Sequence, residues 1–276
     1  MPPPRLPNPV ERYAIPWNGG EVSCLRRTGV KRALVLLHGL YGGAIHFDAA
    51  FSDTALSRHA LLAIDLPGFG YSDKVEPTTI QTVAEAVKGM IDDQKFDKKP
   101  WLVAHSLSGS VAARILDDVI GVSLIEGNIL EDHLRFSDDV IAHDRAAYGG
   151  IFSRLEKNAL VALRFQTQPR DRESLKRYAA TYAQCTADTV WDIAKDSNED
   201  IRAHTTRALF ADWRGPLYCL FGSEGSYGET IHDVQEALSC AVLREISNSG
   251  HFPMIDNPEE TYAAIAAHMQ NRSSHA

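Results

Sequence analysis

The sequence predicts an α/β chain: a mostly parallel sheet flanked by helices, interrupted once by an all-helical insertion. Three observations carry this. Apolar runs of four or five residues, the length of buried strands, recur along the chain. Between them lie longer segments whose apolar residues repeat with helical period, the alternation that builds a parallel sheet covered on both faces. From Asn128 to Trp213 the alternation stops and only helical patterns remain.

The elements follow in chain order. Tyr13 to Pro16 and Val22 to Arg26 flank Asn18-Gly19-Gly20 and read as a hairpin around that turn. Ala33 to Leu37 (ALVLL) and Leu61 to Ile64 (LLAI) read as buried strands. So do Trp101 to Ala104, Val122 to Ile125, Leu217 to Phe221 and Val242 to Ile246. Thr79 to Gln94 sets Ile80, Val83, Ala84, Val87, Met90 and Ile91 on one helical stripe. Leu107, Val111, Ile115, Leu116 and Val119 form another. Asn257 before Pro258 is an N-cap followed by proline at the first helical position, and it opens a last helix through Tyr262, Ile265, Ala266 and Met269. Within the insertion, helices are expected at Asp139 to Ala147, Ile151 to Phe165, Asp171 to Gln184 and Thr189 to Lys195. A single crossover needs about a dozen residues. Residues 128–213 exceed that severalfold and read as a cap over a core made of residues 1–127 and 214–276.

Composition narrows the function. With 276 residues, 44% hydrophobic and 23% charged, the chain matches soluble globular proteins and can close one large core. A net charge of −8 argues against a general affinity for nucleic acid or anionic membrane. No apolar run approaches the roughly 18–20 residues that span a bilayer. Met1 to Val10 is proline-rich and lacks the apolar stretch of a secretory signal. Cys24, Cys185, Cys219 and Cys240 form no CxxC pair and read as buried free thiols, which points to a cytoplasmic protein without zinc. His133, His143 and His204 stand at no metal-ligand spacing.

Three segments carry chemistry. Val103-Ala104-His105-Ser106-Leu107-Ser108-Gly109 spans the point where an apolar strand gives way to a helical stripe. A serine on such a turn has its hydroxyl lifted clear of the sheet, with the first helical amides aimed at it. Those amides carry partial positive charge and hold an oxyanion. Ala104 and Ser108 stand where the G-x-S-x-G pattern has glycines; both are small, as close strand–helix packing requires. The plain alternative for this segment alone is a helix-capping serine. Leu37-His38-Gly39-Leu40-Tyr41-Gly42-Gly43 is a glycine-rich turn after a strand, and no GKS or GKT follows to make it a phosphate loop. It would present the Leu40 amide beside that of Leu107. Ser249-Gly250-His251-Phe252-Pro253 lies between the last strand and the last helix, where the chain order Ser…acid…His needs its base. His46, close to the glycine-rich turn, is read as facing either the site or solvent.

With Asp65-Leu66-Pro67-Gly68-Phe69-Gly70-Tyr71-Ser72-Asp73 added to these segments, the chain resembles the α/β-hydrolase superfamily, and within it the capped, esterase-like members. The resemblance runs from Arg12 to Met269 and is weakest in the cap. It implies the α/β-hydrolase fold, Ser106 as nucleophile, His251 as base, the Leu40 and Leu107 amides as oxyanion hole, and a structural turn at Asp65 to Asp73. Most relatives carry the triad acid, an Asp, on the turn after the strand that here is Leu217 to Phe221. That position is Gly225 in this chain, with Glu224 beside it. Other members, certain haloalkane dehalogenases and lipases among them, take the acid from the end of the strand after the nucleophile's helix. Here that residue is Glu126. A carboxylate directly after four core residues needs a partner, and an imidazolium on His251 is one. Glu126 is the expected acid and Glu224 the alternative.

The expected protein is a carboxylesterase-like serine hydrolase. It acts on a small-molecule acyl substrate, an ester or thioester, through a Ser-His-Glu triad and an acyl-enzyme, with no cofactor and no metal. A homodimer is left open. Serine at 106 argues against dehalogenase and epoxide chemistry, which use an aspartate there. Carbon–carbon bond hydrolases and cofactor-free oxygenases keep the serine and histidine, so these stay as alternatives, together with a slow-turnover ligand-sensing module. The insertion's aromatics, Phe136, Tyr148, Phe152 and Phe165 among them, are read mainly as core. Its basic residues Arg135, Arg145 and Arg154 are read as solvated.

Overall fold

Eight strands form a single sheet: β1 (Glu11–Trp17), β2 (Gly20–Arg27), β3 (Lys31–Leu37), β4 (His59–Ile64), β5 (Trp101–His105), β6 (Gly121–Ile125), β7 (Leu217–Gly222) and β8 (Val242–Ile246). The structure is a computed structural model and describes residues 10–164, 172–225 and 231–273. The spatial order is β1-β2-β4-β3-β5-β6-β7-β8. β2 pairs antiparallel with β1 and with β4, and every other pair is parallel. The hairpin turns on Asn18 and Gly19 at φ +44° and +82°. Two successive left-handed residues are what a tight turn between twisted strands demands.

Chain order reverses at β3, whose neighbours are β4 on one side and β5 on the other. A parallel sheet opens a crevice at such a point, beyond the carboxyl ends of the strands. The register brings those ends level: Leu37 lies beside Ala104, His105 beside Ile125, and Ile125 beside Leu220. Alternation along β3 feeds two cores. Val35 and Leu37 pack on one face with Val83, Val87 and Val111, while Leu34 and Leu36 pack on the other with Trp101, Tyr262 and Ile265.

The helices are α1 (Ile80–Asp93), α2 (Ser108–Ala113), α3 (Arg135–Ile141), α4 (Arg145–Lys157), α5 (Ala159–Arg164), α6 (Arg172–Ala179), α7 (Ala187–Arg202), α8 (Thr205–Asp212), α9 (Ile231–Ala237), α10 (Pro253–Asp256) and α11 (Pro258–Ser273). Thr79 caps α1 through a reciprocal box with Thr82. The stripe expected after Ser106 is interrupted: α2 ends at Ala113 and Leu116–Asp118 forms a 3-10 turn. Between them Arg114 turns its guanidinium to the Ser110 carbonyl and to Asp200.

Residues between β6 and β7 are helical throughout their described part, with boundaries that differ from the periodicity. The helix expected over Asp139 to Ala147 is two helices, because Asp144 accepts from the Ala147 amide at 2.9 Å and starts α4 afresh. The stretch toward Gln184 passes from α6 into a 3-10 turn at Ala180–Gln184. Phe165 and Asp171, the ends of two expected helices, lie outside the described residues, as does the proline-rich start of the chain before Val10.

This insertion is fixed to the sheet domain on two sides. On one, Asp196 of α7 accepts from the Ile80 amide at 2.6 Å, and Asp200 pairs with Arg114. On the other, Asp48 takes the Tyr178 hydroxyl at 2.7 Å and Arg177 at 2.8 Å. All four cysteines are free; Cys24 and Cys219 are buried as expected, but Cys240 is exposed and Cys185 only half-buried. No described helix is long and apolar enough to cross a membrane.

Candidate active site

Ser106 stands directly after β5 with φ +54°, a left-handed conformation rare for a residue with a side chain. Neighbouring strands hold it there. Its amide donates to Ile125 O at 3.0 Å, and its carbonyl accepts from Gly109 at 2.9 Å and Asn128 at 3.0 Å. Room for the turn comes from Gly39, where a Cβ would lie 2.8 Å from Ser106 Cβ and 2.9 Å from His105 Nδ1. Ser108, standing at a glycine of the motif, donates its hydroxyl to the His38 carbonyl. It thereby ties the start of α2 to the glycine-rich turn.

Glu126 follows β6 and also turns through positive φ, +49°. The residue is about 1% exposed, so the carboxylate needs protein donors. Gly222 N–H donates to Oε1 at 2.7 Å, and His251 Nδ1 lies 3.3 Å from Oε2. A carboxylate only accepts, which places the imidazole proton on Nδ1 and leaves Nε2 as an acceptor. Ser106 Oγ lies 3.2 Å from that nitrogen. Three of the expected residues therefore meet in one buried chain, Ser106–His251–Glu126. Glu224, the alternative acid, is solvent-exposed on the turn after β7, with its amide bonded to Ser249 O at 2.8 Å. A Cβ on Gly225 would sit 3.1 Å from Glu126 Oε1. The glutamate thus reaches across from β6 into the space beside the position where most relatives carry an aspartate.

The loop bearing His251 is held from three directions. Gly250 N–H donates to Asp256 at 2.9 Å, within the same segment. Gly222 admits the loop from β7: a Cβ there would lie 2.1 Å from Gly250 O. His105 Nε2 meets the His251 carbonyl at 2.8 Å, so His105 donates from Nε2. Burial holds His105 far below the ordinary imidazole range, as a neutral ring. Sequence reasoning missed this anchor. His105 is conspicuous beside Ser106, but its partner lies in the last quarter of the chain.

Behind the site, His38 accepts from the Leu66 amide at 3.0 Å through Nε2, so Nδ1 donates to Gly39 O at 2.8 Å. Burial pushes its pKa down to about 4. His46, read as facing either the site or solvent, is buried, edge-on to Phe252 and Tyr178, with Nε2 3.3 Å from Thr181 Oγ1. Asp65 of the Asp65–Asp73 run is buried and bonded to the Ala44 amide and Arg12, both at 2.7 Å. That pairing braces the far end of the glycine-rich turn.

The Leu40 and Leu107 amides flank Ser106, one on the turn after β3 and one at the start of α2. Among the described residues neither donates to a protein acceptor. The insertion meets the glycine-rich turn at Tyr41. Tyr41, at φ +59°, stacks on Tyr182 with centroids 4.8 Å apart and hydrogen-bonds Tyr148, while its carbonyl accepts from Thr181 at 2.7 Å. Phe136 of α3 lies 5.1 Å from the His251 ring. Arg145 is occupied by Asp188 and Asp192 at the surface. Among the described residues no group of three or more His, Cys, Asp or Glu is placed to hold a metal ion.

A sheet of this order, with serine, histidine and carboxylate gathered at its carboxyl edge, defines the class of α/β hydrolases. The chain belongs to that family: the profile of the α/β hydrolase family matches residues 34–265. Among solved structures it is similar to a thermophilic esterase from Thermogutta terrifontis with malate bound, at 17% identity and TM-score 0.72, covering 95% of this chain and 98% of that one. It is similar also to a variant of the N-acyl homoserine lactonase AidH in complex with N-hexanoyl homoserine, at 17% identity and TM-score 0.76, covering 95% and 97%. The epoxide hydrolase CorEH matches at 18% identity and TM-score 0.75, covering 95% and 99%. At these identities the likeness concerns the fold.

Proposed function

We propose that the protein is a serine hydrolase of carboxylic esters or thioesters. The observation that carries this reading is the hydrogen-bonded chain from Ser106 Oγ through His251 to Glu126, with spacings of 3.2 and 3.3 Å. Ser106 Oγ attacks the acyl carbon as its proton passes to His251 Nε2. Glu126, bonded to Nδ1, fixes the tautomer and offsets the imidazolium charge. Negative charge developing on the carbonyl oxygen is met by the Leu40 and Leu107 N–H groups, which have no protein acceptor among the described residues. His251 then protonates the departing alcohol or thiol, and later takes a proton from the water that releases the acid. The chemistry needs no metal and no organic cofactor. Residues 128–213 act as the cap over a core of 1–127 and 214–276, a reading supported by the contacts of Tyr182, Tyr148 and Thr181 with Tyr41. Four free cysteines suit a reducing compartment, which favours the cytoplasm.

The test is covalent labelling with turnover. A fluorophosphonate should add once per chain at Ser106, and p-nitrophenyl butyrate should be hydrolysed with a drop of at least about 10³-fold in Ser106→Ala. An unlabelled Ser106, or hydrolysis surviving in Ser106→Ala, would remove the proposal and favour a ligand-sensing module.

A further inference from the structure

Phe136, near the start of α3 in the insertion, sets its ring 5.1 Å from that of His251 at an angle of 44°. The insertion's aromatics are expected mainly in the core, and Tyr148 and Phe152 are buried there. Phe136 differs. It is only half-buried, and among the described residues it packs into neither core. An apolar ring partly open to solvent is ordinary by itself. One that also touches the proposed catalytic base stands where a substrate passes.

The ring is carried by a fixed element. A 3-10 turn at Glu131–Leu134 precedes α3, and its buried His133 sets Nδ1 3.0 Å from Gly127 O and 3.2 Å from Ile129 N. The helix bearing Phe136 thus starts from the turn that follows Glu126. Asp138, in the same helix, accepts from Asn198 at 2.7 Å and from Arg202 at 2.5 Å, both on α7. Two other described rings meet the imidazole, His105 at 4.9 Å and Phe252 at 5.2 Å, and both are buried. Of the described rings against His251, Phe136 is the one with surface left for a ligand.

The path of the proton decides which part of a substrate meets that surface. His251 takes the Ser106 proton on Nε2 and returns it to the leaving oxygen or sulfur as the bond from that atom to the acyl carbon breaks. The leaving atom must then lie within about 3 Å of Nε2. The group it carries extends along the imidazole toward solvent, because the alcohol or thiol has to depart. The acyl chain stays on Ser106 through this step. We infer that Phe136 forms a wall of the leaving-group subsite, and that the enzyme favours esters or thioesters whose alcohol or thiol part carries a flat apolar group one or two bonds from the leaving atom. The inference rests on the serine-hydrolase reading. An aromatic ring there packs offset or edge-on against Phe136, whereas a methyl group falls short of it. Phe136 touches substrate but moves no proton, so it is a specificity residue.

Esters of butyric acid test it, since they form one acyl-enzyme and differ only in the alcohol. Methanol and benzyl alcohol are nearly equal in acidity, so leaving ability does not separate methyl from benzyl butyrate. The wild type should favour the benzyl ester by about 10- to 100-fold in kcat/KM. Phe136→Ala should lower that preference at least about 10-fold while methyl butyrate changes less than about threefold. The ratio of methyl hexanoate to methyl butyrate, which varies only the acyl chain, should stay within about twofold. The melting temperature and the rate of fluorophosphonate labelling are folding controls, fluoride being too small a leaving group to reach Phe136. Phe136→Leu, which keeps apolar bulk, is a second variant should alanine unfold the insertion, and should shift the preference in the same direction. No benzyl preference in the wild type, or a preference unchanged in the variants, overturns the inference. So does an equal loss of kcat on both butyrates, the result for a ring that merely holds His251 in place, or a change confined to the acyl-chain ratio. Labelling of Ser106 without turnover of any of these esters overturns it and leaves the nucleophile standing. An unlabelled Ser106 without turnover removes the serine-hydrolase reading and this inference with it.

Discussion

Glu126 has the most constrained environment of the three proposed triad residues. Its carboxylate is buried between the Gly222 amide and His251, and Gly225 leaves space beside Oε1. Glu126→Gln keeps the shape but offers the imidazole a neutral partner able to select the wrong tautomer. A kcat loss on the order of 10³- to 10⁴-fold in p-nitrophenyl ester hydrolysis is expected. Exposed Glu224 should tolerate the same change within about threefold, since a carboxylate in a solvated turn adds little at a distance. The reverse result would assign the acid to Glu224. The spacing permits a stronger test. Glu126→Gly is expected to be nearly inactive, and adding Gly225→Asp, which puts a carboxylate beside the vacated space, should recover at least about tenfold of kcat. Gly39→Ala is expected to lower kcat without abolishing folding, because the new Cβ falls 2.8 Å from that of Ser106. A mass-spectrometric labelling rate with fluorophosphonate would read that displacement directly.

Among the elements, α7 joins the insertion to α1 and α2. Asp200, 5% exposed at its side chain, is paired with Arg114 and also accepts from Thr206. Removing Arg114 leaves a buried carboxylate without its cation, a change that costs about 3–5 kcal/mol. At about 2–4 °C per kcal/mol for a chain of this size, Arg114→Ala should melt about 10 °C below the wild type. Arg145→Ala, which breaks exposed pairs with Asp188 and Asp192, should shift the melting temperature by about 2 °C or less. Equal shifts would show that burial does not decide the outcome. Elements also show what could be read in advance. The inner strands were legible because short apolar runs in a parallel sheet face two cores, and β1 and β2 were legible from the turn between them; β8, read as buried, is an exposed edge strand. Ser106 and His251 were legible from their places at strand ends, despite Ala104 and Ser108 in a degenerate motif. Glu126 was visible as a charge immediately after core residues. What escaped was set by contacts distant in sequence: the break after α2, where Arg114 turns to Asp200, and the bond from His105 to the His251 carbonyl. The split at Asp144 is local, and an N-cap signal inside an otherwise helical pattern would have found it.

Among the described residues burial lowers the pKa of five histidines, His59 and four deeper ones. In the four deeper rings the values are pushed down to about 4 for His38 and His133, to about 3 for His46, and well below the usual value for His105. In the unfolded chain each takes up a proton near pH 6.5. The stability they support is therefore complete above that pH and is lost as pH falls toward the folded values, at a limiting slope of about 1.4 kcal/mol per unit for each ring. Melting temperatures should be level from pH 8 to 7 and decline with increasing steepness from pH 6.5 to 4.5. His46→Leu should flatten that decline. A profile that is flat to pH 5 would contradict the neutral assignments.

β8 is an edge strand, mostly exposed, and the last to join the sheet in chain order. The histidine that proposed catalysis requires hangs just beyond it. During synthesis Ser106 and both flanking amides exist long before this final strand emerges from the ribosome, so a growing chain holds the proposed nucleophile without its proposed base. The same follows for a finished molecule whose edge transiently frays. On the proposed mechanism chemistry is thus contingent on the completion of the sheet, and ester hydrolysis would double as a report that β8 has docked.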